Sequence, residues 1–522
     1  MSNITDATLD LIKQAQGYGN NPEIQKSITT ANNLAAYDLQ APAKNLYPVQ
    51  TPIRNTLPRT SGIGTATNWR VVRNIIGSGF DAMGWVPEGQ RTTNMSYTTQ
   101  SLSASFKTLG EEDKASYEAI NAGRGFEDIR ARMTMRLLQK LMLKEESAII
   151  GGNTSVALNG VYDSVALTFS IPTPIPTLSA SAVSGSTLPA SANYYVKVVA
   201  LTYEGYRNST VGAGVAIAQQ ITGSDGASYV LYGGSSAISA ASAAQAVTLG
   251  QTLFMSCAPV NGAVGYAWFI GTSSGVGGTK LQAITTINSY ARSTPLLTTT
   301  QADNASVAIA GSATPRTLDN DNSANGLAFD GLLYNAFNPS SGAYIKSLPT
   351  GTAGTGTPLT SSGRGSIVEI DDMLISMWNQ NQLSPTVIYC NAQEIRSISN
   401  KVLGNASAPL VRYNVGENAS SMQLAASPFV DTYFNPITKQ PLRIEVHPNV
   451  PPGTILSWAD DLPAQYQSSE VPNVAEIRAR QDYYQIDWPV TSRNQAVGVY
   501  CEEVLVCYAP FAIGVINNIA NA

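Results

Sequence analysis

RGFEDIRARMTMRLLQKLMLKEESAIIGG, residues 124–152, is the stretch whose reading decides the fold. Phe126, Ile129, Met133, Leu137, Leu141 and Ala148 step by three, four, four, four and seven, drawing one apolar stripe along an α-helix. Roughly 26 helical residues span about 39 Å. Gly151 and Gly152 suit a helix C-terminus. On another face Arg132, Arg136, Lys140 and Lys144 repeat like charge at i, i+4, which mildly destabilises an isolated helix. This ladder is either a solvated face or a surface that meets acidic groups of another chain.

The chain changes character just beyond the glycines. Of 31 basic and 36 acidic residues, residues 162–312 hold only 8. Short strands there alternate with Gly, Ser, Pro and Asn turns: NYYVKVVALTYEG, TLFMSCAPV, GYAWFIGT and LQAITTINSYA. That spacing predicts a β-sandwich of residues 162–312, spliced into a body of mixed helices and strands. The fold class expected for the whole chain is α+β.

Upstream of the helix, Pro42, Pro48, Pro52 and Pro58 favour an extended path, so residues 1–65 read as an arm, opened by an amphipathic turn at Leu9, Leu11 and Ile12. TNWRVVRNI (67–75) and SLSASFKTL (101–109) read as strands, the second alternating Leu102, Ala104 and Phe106 with polar residues. Glycine-rich GSGFDAMGWVPEGQ between them predicts a long hairpin with a loose tip. Downstream, SIVEIDDMLISMWNQ places Ile367, Ile370, Leu374 and Met377 at helical spacing, and SPTVIYC reads as a buried strand. Asn391 and Glu394 suggest a capping box for a second helix. The remainder is rich in strands.

Length allows about three domains. A net charge of −5 gives no electrostatic footprint for nucleic acid. MSNITDATLDLIK shows no basic start followed by an apolar run, so no signal peptide is expected. No segment approaches about 18 consecutive apolar residues, so none is expected to span a membrane. Cys501 and Cys507 fall on one strand roughly 20 Å apart, too far for a disulfide. With Cys257, Cys390 and a single histidine, the cysteines support neither a disulfide framework nor a zinc site.

Chemistry is scarce. His447 has no nucleophile signature beside it, so a Ser-His-Asp triad is not supported. Glu111-Glu112, Glu145-Glu146, Asp371-Asp372, Asp460-Asp461 and Glu502-Glu503 are adjacent pairs whose side chains diverge on a helix or strand, unlike a glycosidase couple. LDNDNSANG (318–326) fails the calcium-loop pattern at Ser323 and Ala324, and GVGGTK (275–280) matches a phosphate loop only in composition. No catalytic, cofactor or metal residue is expected, and the chain reads as structural rather than enzymatic.

Taken in order, NLYPVQTPIRNTLPR, GWVPEGQ, SLSASFKTLGEEDKASYEAI, KEESAIIGG, NGVYD, FDGLLYNAF and SPTVIYCNAQEIRSI resemble the major capsid protein of tailed bacteriophages, the Hong Kong 97-type fold, to which encapsulins are similar. The resemblance covers about residues 1–161 and 313–522. ALTYEG and GAVGYAWF carry a weaker likeness to immunoglobulin- or fibronectin-type domains. It implies an N-terminal arm (1–65), an extended hairpin loop with its lead-in (66–123), and a spine helix opening the peripheral domain (124–161). The inserted sandwich (162–312), a return to the peripheral domain (313–365), an axial domain (366–475) and closing C-terminal strands (476–522) follow.

The resemblance further implies hexamers and pentamers of this chain, assembling in a virion after synthesis in the host cytoplasm. The shell would enclose double-stranded DNA without reading its sequence. Hairpin and arm would reach onto neighbours, making Trp85, Glu88, Arg132, Arg136, Lys140 and Lys144 candidate interface residues. With the arm motif starting near residue 42, a separate scaffolding protein is expected, beside a portal and a decoration protein. The sandwich would face outward and touch glycans weakly, and excising it should leave a body that still assembles. An encapsulin-like compartment is the near alternative, and a glycan-binding adhesin or fibre the distant one.

Overall fold

The structure is a computed structural model. It describes residues 47–76, 84–92, 94–124, 127–156, 176–223, 226, 228–309, 315–362, 365–404, 412–414, 423–425, 430–460, 462, 473–490 and 492–521. The amphipathic turn at Leu9–Ile12, most of the arm, Phe126 and the two expected sandwich boundaries lie outside the described residues. Two units divide the chain, Met1–Pro48 with Ala115–Arg132, and Val49–Lys114 with Met133–Ala522.

In the first unit, helix Tyr117–Ala122 starts where Ser116 Oγ accepts the Ala119 N–H at 3.2 Å. The long helix, Ile129–Gly151, begins there too. Asp128 Oδ1 caps it by accepting the Arg130 and Ala131 N–H groups at 3.0 and 3.1 Å, and Arg132 pairs with Glu127.

The second unit holds the cores. Along the helix the buried row is Met133, Leu137, Leu141, Glu145 and Ile149, an unbroken step of four. The apolar stripe thus runs through a carboxylate. The ending at Gly151 agrees with the sequence, but the reason for glycine differs. Neither Gly151 nor Gly152 adopts positive φ. A Cβ on Gly151 would come closer than 3.0 Å to the Tyr203 ring, and one on Gly152 closer than 3.0 Å to the Phe329 carbonyl. These glycines let other elements approach the helix end.

Ala66–Ile76 and Ser96–Ser105 pair antiparallel as a two-stranded ribbon, irregular between Val72 and Asn74. The expected second strand breaks at Phe106. Beyond it, Lys107–Ser116 edges a four-stranded sheet ordered Arg59–Ser61, Ala475–Asp487, Asn494–Cys507, Lys107–Ser116. A six-stranded mixed sheet follows the order Tyr344–Ser347, Ile513–Asn517, Ile455–Trp458, Val387–Cys390, Pro441–Val446, Thr432–Phe434. The C-terminal strand therefore closes a sheet built mostly from earlier segments. Helix Val368–Asn381 buries Ile370, Met373, Leu374 and Met377, close to the expected stripe. In helix Ala392–Gly404, Glu394 does not close a capping box: its Oε1 accepts the Gly453 N–H at 2.8 Å. Burial pushes that carboxyl up to about 7.

The low-charge region forms two larger antiparallel sheets and a two-stranded one, Ala218–Thr222 with Ser228–Tyr232. One has three strands, Ser289–Arg292, Gln251–Ser256 and Thr177–Ala182. The other has four, Lys280–Thr285, Gly265–Gly271, Ser191–Leu201 and Gln245–Val247. Tyr194, Val196, Val198 and Ala200 point into a core shared with Leu253, Met255 and Trp268, between the two sheets. Val199 and Leu201 point oppositely, into a second core with Phe269, Leu281 and Leu318. Two-sided burial explains why GYAWFIG is continuously apolar.

The edge of Ser191–Leu201 is sealed by a serine at every third position. Ser236, Ser239 and Ser242 donate their N–H groups to the Ala200, Val198 and Val196 carbonyls at 2.8–2.9 Å. Their Oγ atoms accept the N–H groups of the same three residues at 2.9–3.0 Å.

This region is locked to the rest of the unit. Tyr203 and Val264 belong to the same core as Ile149, Ile150, Leu332 and Tyr334. The Tyr203 N–H donates to Tyr334 Oη at 2.9 Å, and that hydroxyl donates to the Gly262 carbonyl at 3.0 Å. Asn288 and Asn518 exchange hydrogen bonds of 2.8 and 3.0 Å. All four cysteines are free and buried.

Candidate assembly surface and the arm root

The ribbon is anchored at its base. Trp69 and Ala104 pack against the main core, and Trp69 meets Tyr508 edge-on, centroids 5.8 Å apart. Farther out the anchoring stops. Val72, Ile75 and Tyr97 are 56%, 57% and 65% exposed, and Trp85 is 89% exposed. Ile76, Val86 and Met95 are exposed as well. Eleven strand residues extend about 36 Å. A two-stranded ribbon carrying this much apolar surface is marginal in water unless something covers it.

Trp85 and Glu88 are both exposed beyond the ribbon strands. The four cations of the helix ladder have different surroundings. Arg132 pairs with Glu127 and Lys144 with Glu111, leaving exposed Arg136 and Lys140 without an ion pair among the described residues. Partial burial lowers the Lys144 ammonium. A solvated face therefore describes the middle of the ladder only.

A second feature escaped the sequence reading. The arm enters the body through a short helix, Pro52–Thr56, and strand Arg59–Ser61, which pairs parallel with Ile477–Ala479. Thr51 makes no capping bond, and Pro52 occupies the first turn. The cap comes from the long helix instead. Glu146 accepts the Ile53 and Arg54 N–H groups at 3.0 and 2.8 Å. Its third donor is His447 Nε2, at 2.6 Å. His447 Nδ1 accepts the Asn449 N–H at 3.0 Å, so Nε2 carries the hydrogen. The sole histidine is wholly buried and structural.

Glu145, one residue earlier, faces two arginines. Arg54 Nε donates to its Oε2 at 2.7 Å, while Arg59 Nη1 and the Tyr483 hydroxyl also reach it. Arg59 Nη2 bridges on to Asp482 and Glu503 at 2.7 and 2.9 Å. Both guanidiniums lie over the Tyr483 ring, 5.2 and 5.3 Å from its centroid. Glu145 and Glu503 are wholly buried, and both accept from the Arg59 guanidinium. Burial first, and the Glu145 charge second, push Glu503 up to about 8. Adjacent glutamates at 145–146 and 502–503 thus split their work: three of the four carboxylates hold the arm root, and Glu502 pairs with Arg480 at 2.6 Å. The available signal was Glu145 at the i+4 position of an otherwise apolar row.

The oxygens of 318–326 serve the loop itself. Asp321 accepts from Ser323, Asn320 from the Thr317 N–H, and Asn322 Oδ1 from Arg316. Among the described residues no cluster of His, Cys, Asp and Glu could hold a metal, and no helix is long and apolar enough to cross a membrane.

No protein-family model matches the chain, and no curated protein does. Among solved structures, the capsid of a native GTA particle is similar at 9% identity and a TM-score of 0.40, covering 96% of this chain and 100% of that one. The capsid of Myoviridae phage XM1 is similar at 9% identity and 0.39, covering 95% and 100%. The holo-SrpI encapsulin of Synechococcus elongatus PCC 7942 stands at 10% and 0.38, covering 94% and 95%. At such identities and scores, function rests on the chain's own geometry.

Proposed function

We propose that this chain is the major capsid protein of a tailed bacteriophage, with the Hong Kong 97-type fold. It self-assembles as hexamers and pentamers into an icosahedral head around double-stranded DNA. The supporting observation is the ribbon, whose outer half exposes Val72, Ile75, Ile76, Met95, Tyr97 and Trp85 with no core of its own. Copies of the same chain are the natural cover, because each copy then both lends a ribbon and receives one. In this reading the protein is not an enzyme. The two-sheet region is an immunoglobulin- or fibronectin-type insertion on the outside, and a separate scaffolding protein directs closure beside a portal and a decoration protein.

The test is direct. Full-length protein is examined by sedimentation velocity and electron microscopy, alone and with its scaffold, beside Ile75→Asp and Tyr97→Asp. Wild type is expected to form capsomers or closed shells. Each variant is expected to keep its circular dichroism and remain a small species, since both side chains are exposed and support no core. A wild type that stays monomeric at high concentration, or variants that assemble normally, would overturn the proposal. Shells filled with protein instead of nuclease-protected DNA would make it a compartment.

A further inference from the structure

The arm root gathers charged side chains in a buried place. Around Glu503 stand Arg54 and Arg59 from the arm, Glu145 from the long helix, Asp482 and Tyr483 from Ala475–Asp487, and the Cys501 thiol from its own strand. Of the three carboxylates, Asp482 is 57% exposed, while Glu145 and Glu503 are wholly buried. Beside this group Glu146 is separately matched by two backbone N–H groups and His447. Glu503 Oε2 accepts from Arg59, but Oε1 is buried with no donor facing it. Two buried carboxylates held on one guanidinium are costly to keep ionised together, and a proton on Glu503 Oε1 relieves that cost at the oxygen that has no donor.

We propose that Glu503 holds a proton in the folded chain, and that drawing it off as pH rises loosens residues 53–61 from the long helix and the sheet. The device would adjust how firmly the arm is rooted within the near-neutral range. It is independent of the shell reading, since every group belongs to one chain.

The elevated Glu503 carboxyl agrees with this arrangement. The folded chain keeps a proton that an unfolded glutamate releases near 4.5, and keeps it until about 8. The contribution to stability is therefore complete below about 4.5, declines as pH rises, and is gone above about 8. Opening of the arm root should rise by up to roughly tenfold per pH unit within that window and level off beyond it.

The experiment is hydrogen exchange on soluble full-length protein, following backbone amides 53–61 from pH 5 to 9.5 after correction for intrinsic rates. It is paired with infrared detection of the protonated carboxyl. Wild type is expected to lose protection up to about pH 8 and then plateau, its carboxylic-acid band bleaching over the same range. Glu503→Gln donates permanently, so its protection should be flat with pH, and its acid band should lose the component that bleaches near pH 8 while keeping that of Glu204 and Glu394, which burial lifts to about 7. A pH-independent wild type, an unchanged slope in Glu503→Gln, or an acid band identical in the two proteins would each overturn the inference. If Glu503→Gln fails to fold, the wild-type exchange profile decides alone, a flat one overturning the inference.

Discussion

Replacing Tyr203 and Gly151, singly and together, tests whether the low-charge region is a detachable passenger or part of the body's core. Tyr203 is wholly buried, and its ring occupies the space where a Gly151 side chain would project. Tyr203→Ala removes a large buried aromatic and should cost about 3–5 kcal/mol. Gly151→Ala raises helix propensity by up to about 1 kcal/mol, but forces a methyl into that ring at a cost of about 1–3 kcal/mol. With the ring gone, the same methyl fills part of the cavity. The double variant should then be no less stable than Tyr203→Ala, giving a coupling of about 1–3 kcal/mol.

Urea denaturation followed by tryptophan fluorescence, with hydrogen exchange on the Leu332–Phe337 helix, measures the cycle. Additivity within about 0.5 kcal/mol would show that ring and glycine do not share this space, refuting the argument. The same packing revises one sequence expectation. Excising 162–312 takes Tyr203 and Val264 out of the body's core, strips both partners from the Tyr334 hydroxyl and removes Asn288 from Asn518. We expect an insoluble chain, and a folded, assembling deletion product would refute this too.

Two further substitutions probe local devices. Ser239→Ala leaves the buried Val198 N–H without its acceptor and should cost about 1–3 kcal/mol in urea denaturation, with Ser239→Thr losing less. Glu146→Ala uncaps Ile53 and Arg54 and strands His447, so it should cost about 3–5 kcal/mol and speed tryptic cleavage after Arg54 and Arg59; unchanged cleavage would count against the cap.

What was legible in the sequence was whatever periodicity records. The stripe through Met133, Leu137 and Leu141, the alternation at Leu102, Ala104 and Phe106, and the helix through Ile370, Leu374 and Met377 all reflect one-sided burial. The change of phase at Phe106, from even-numbered to odd-numbered inward positions, was missed because Leu109 is the one apolar residue that marks it before the charged run 111–114. Gly151 and Gly152 were placed correctly for the wrong reason. A left-handed terminus and a close tertiary approach both demand glycine, and only coordinates separate them. The period-three serines Ser236, Ser239 and Ser242 looked like turn composition. Their pattern has meaning only against the strand they seal. The ribbon residues Trp85 and Glu88 were found as exposed, but the ladder was split, since Glu111 and Glu127 sit outside the helix that carries it.

The arm root shows why a chain would place charge where its periodicity calls for leucine. An apolar side chain at position 145 would bury the arm by area alone, with little preference for how Pro52–Thr56 is oriented. Glu145 and Glu146 instead define two directions: one takes the Arg54 and Arg59 side chains, the other the backbone N–H groups of the same short helix. Both must be met together, so Pro52–Thr56 docks on the long helix in one orientation. Buried ion pairs add little net stability over an apolar core, but they penalise every misregistered arrangement heavily. For a segment whose upstream residues are proposed to reach another subunit, one docking orientation of Pro52–Thr56 matters more than a few kcal/mol of burial, and the proton proposed on wholly buried Glu503 makes that docking answer to pH.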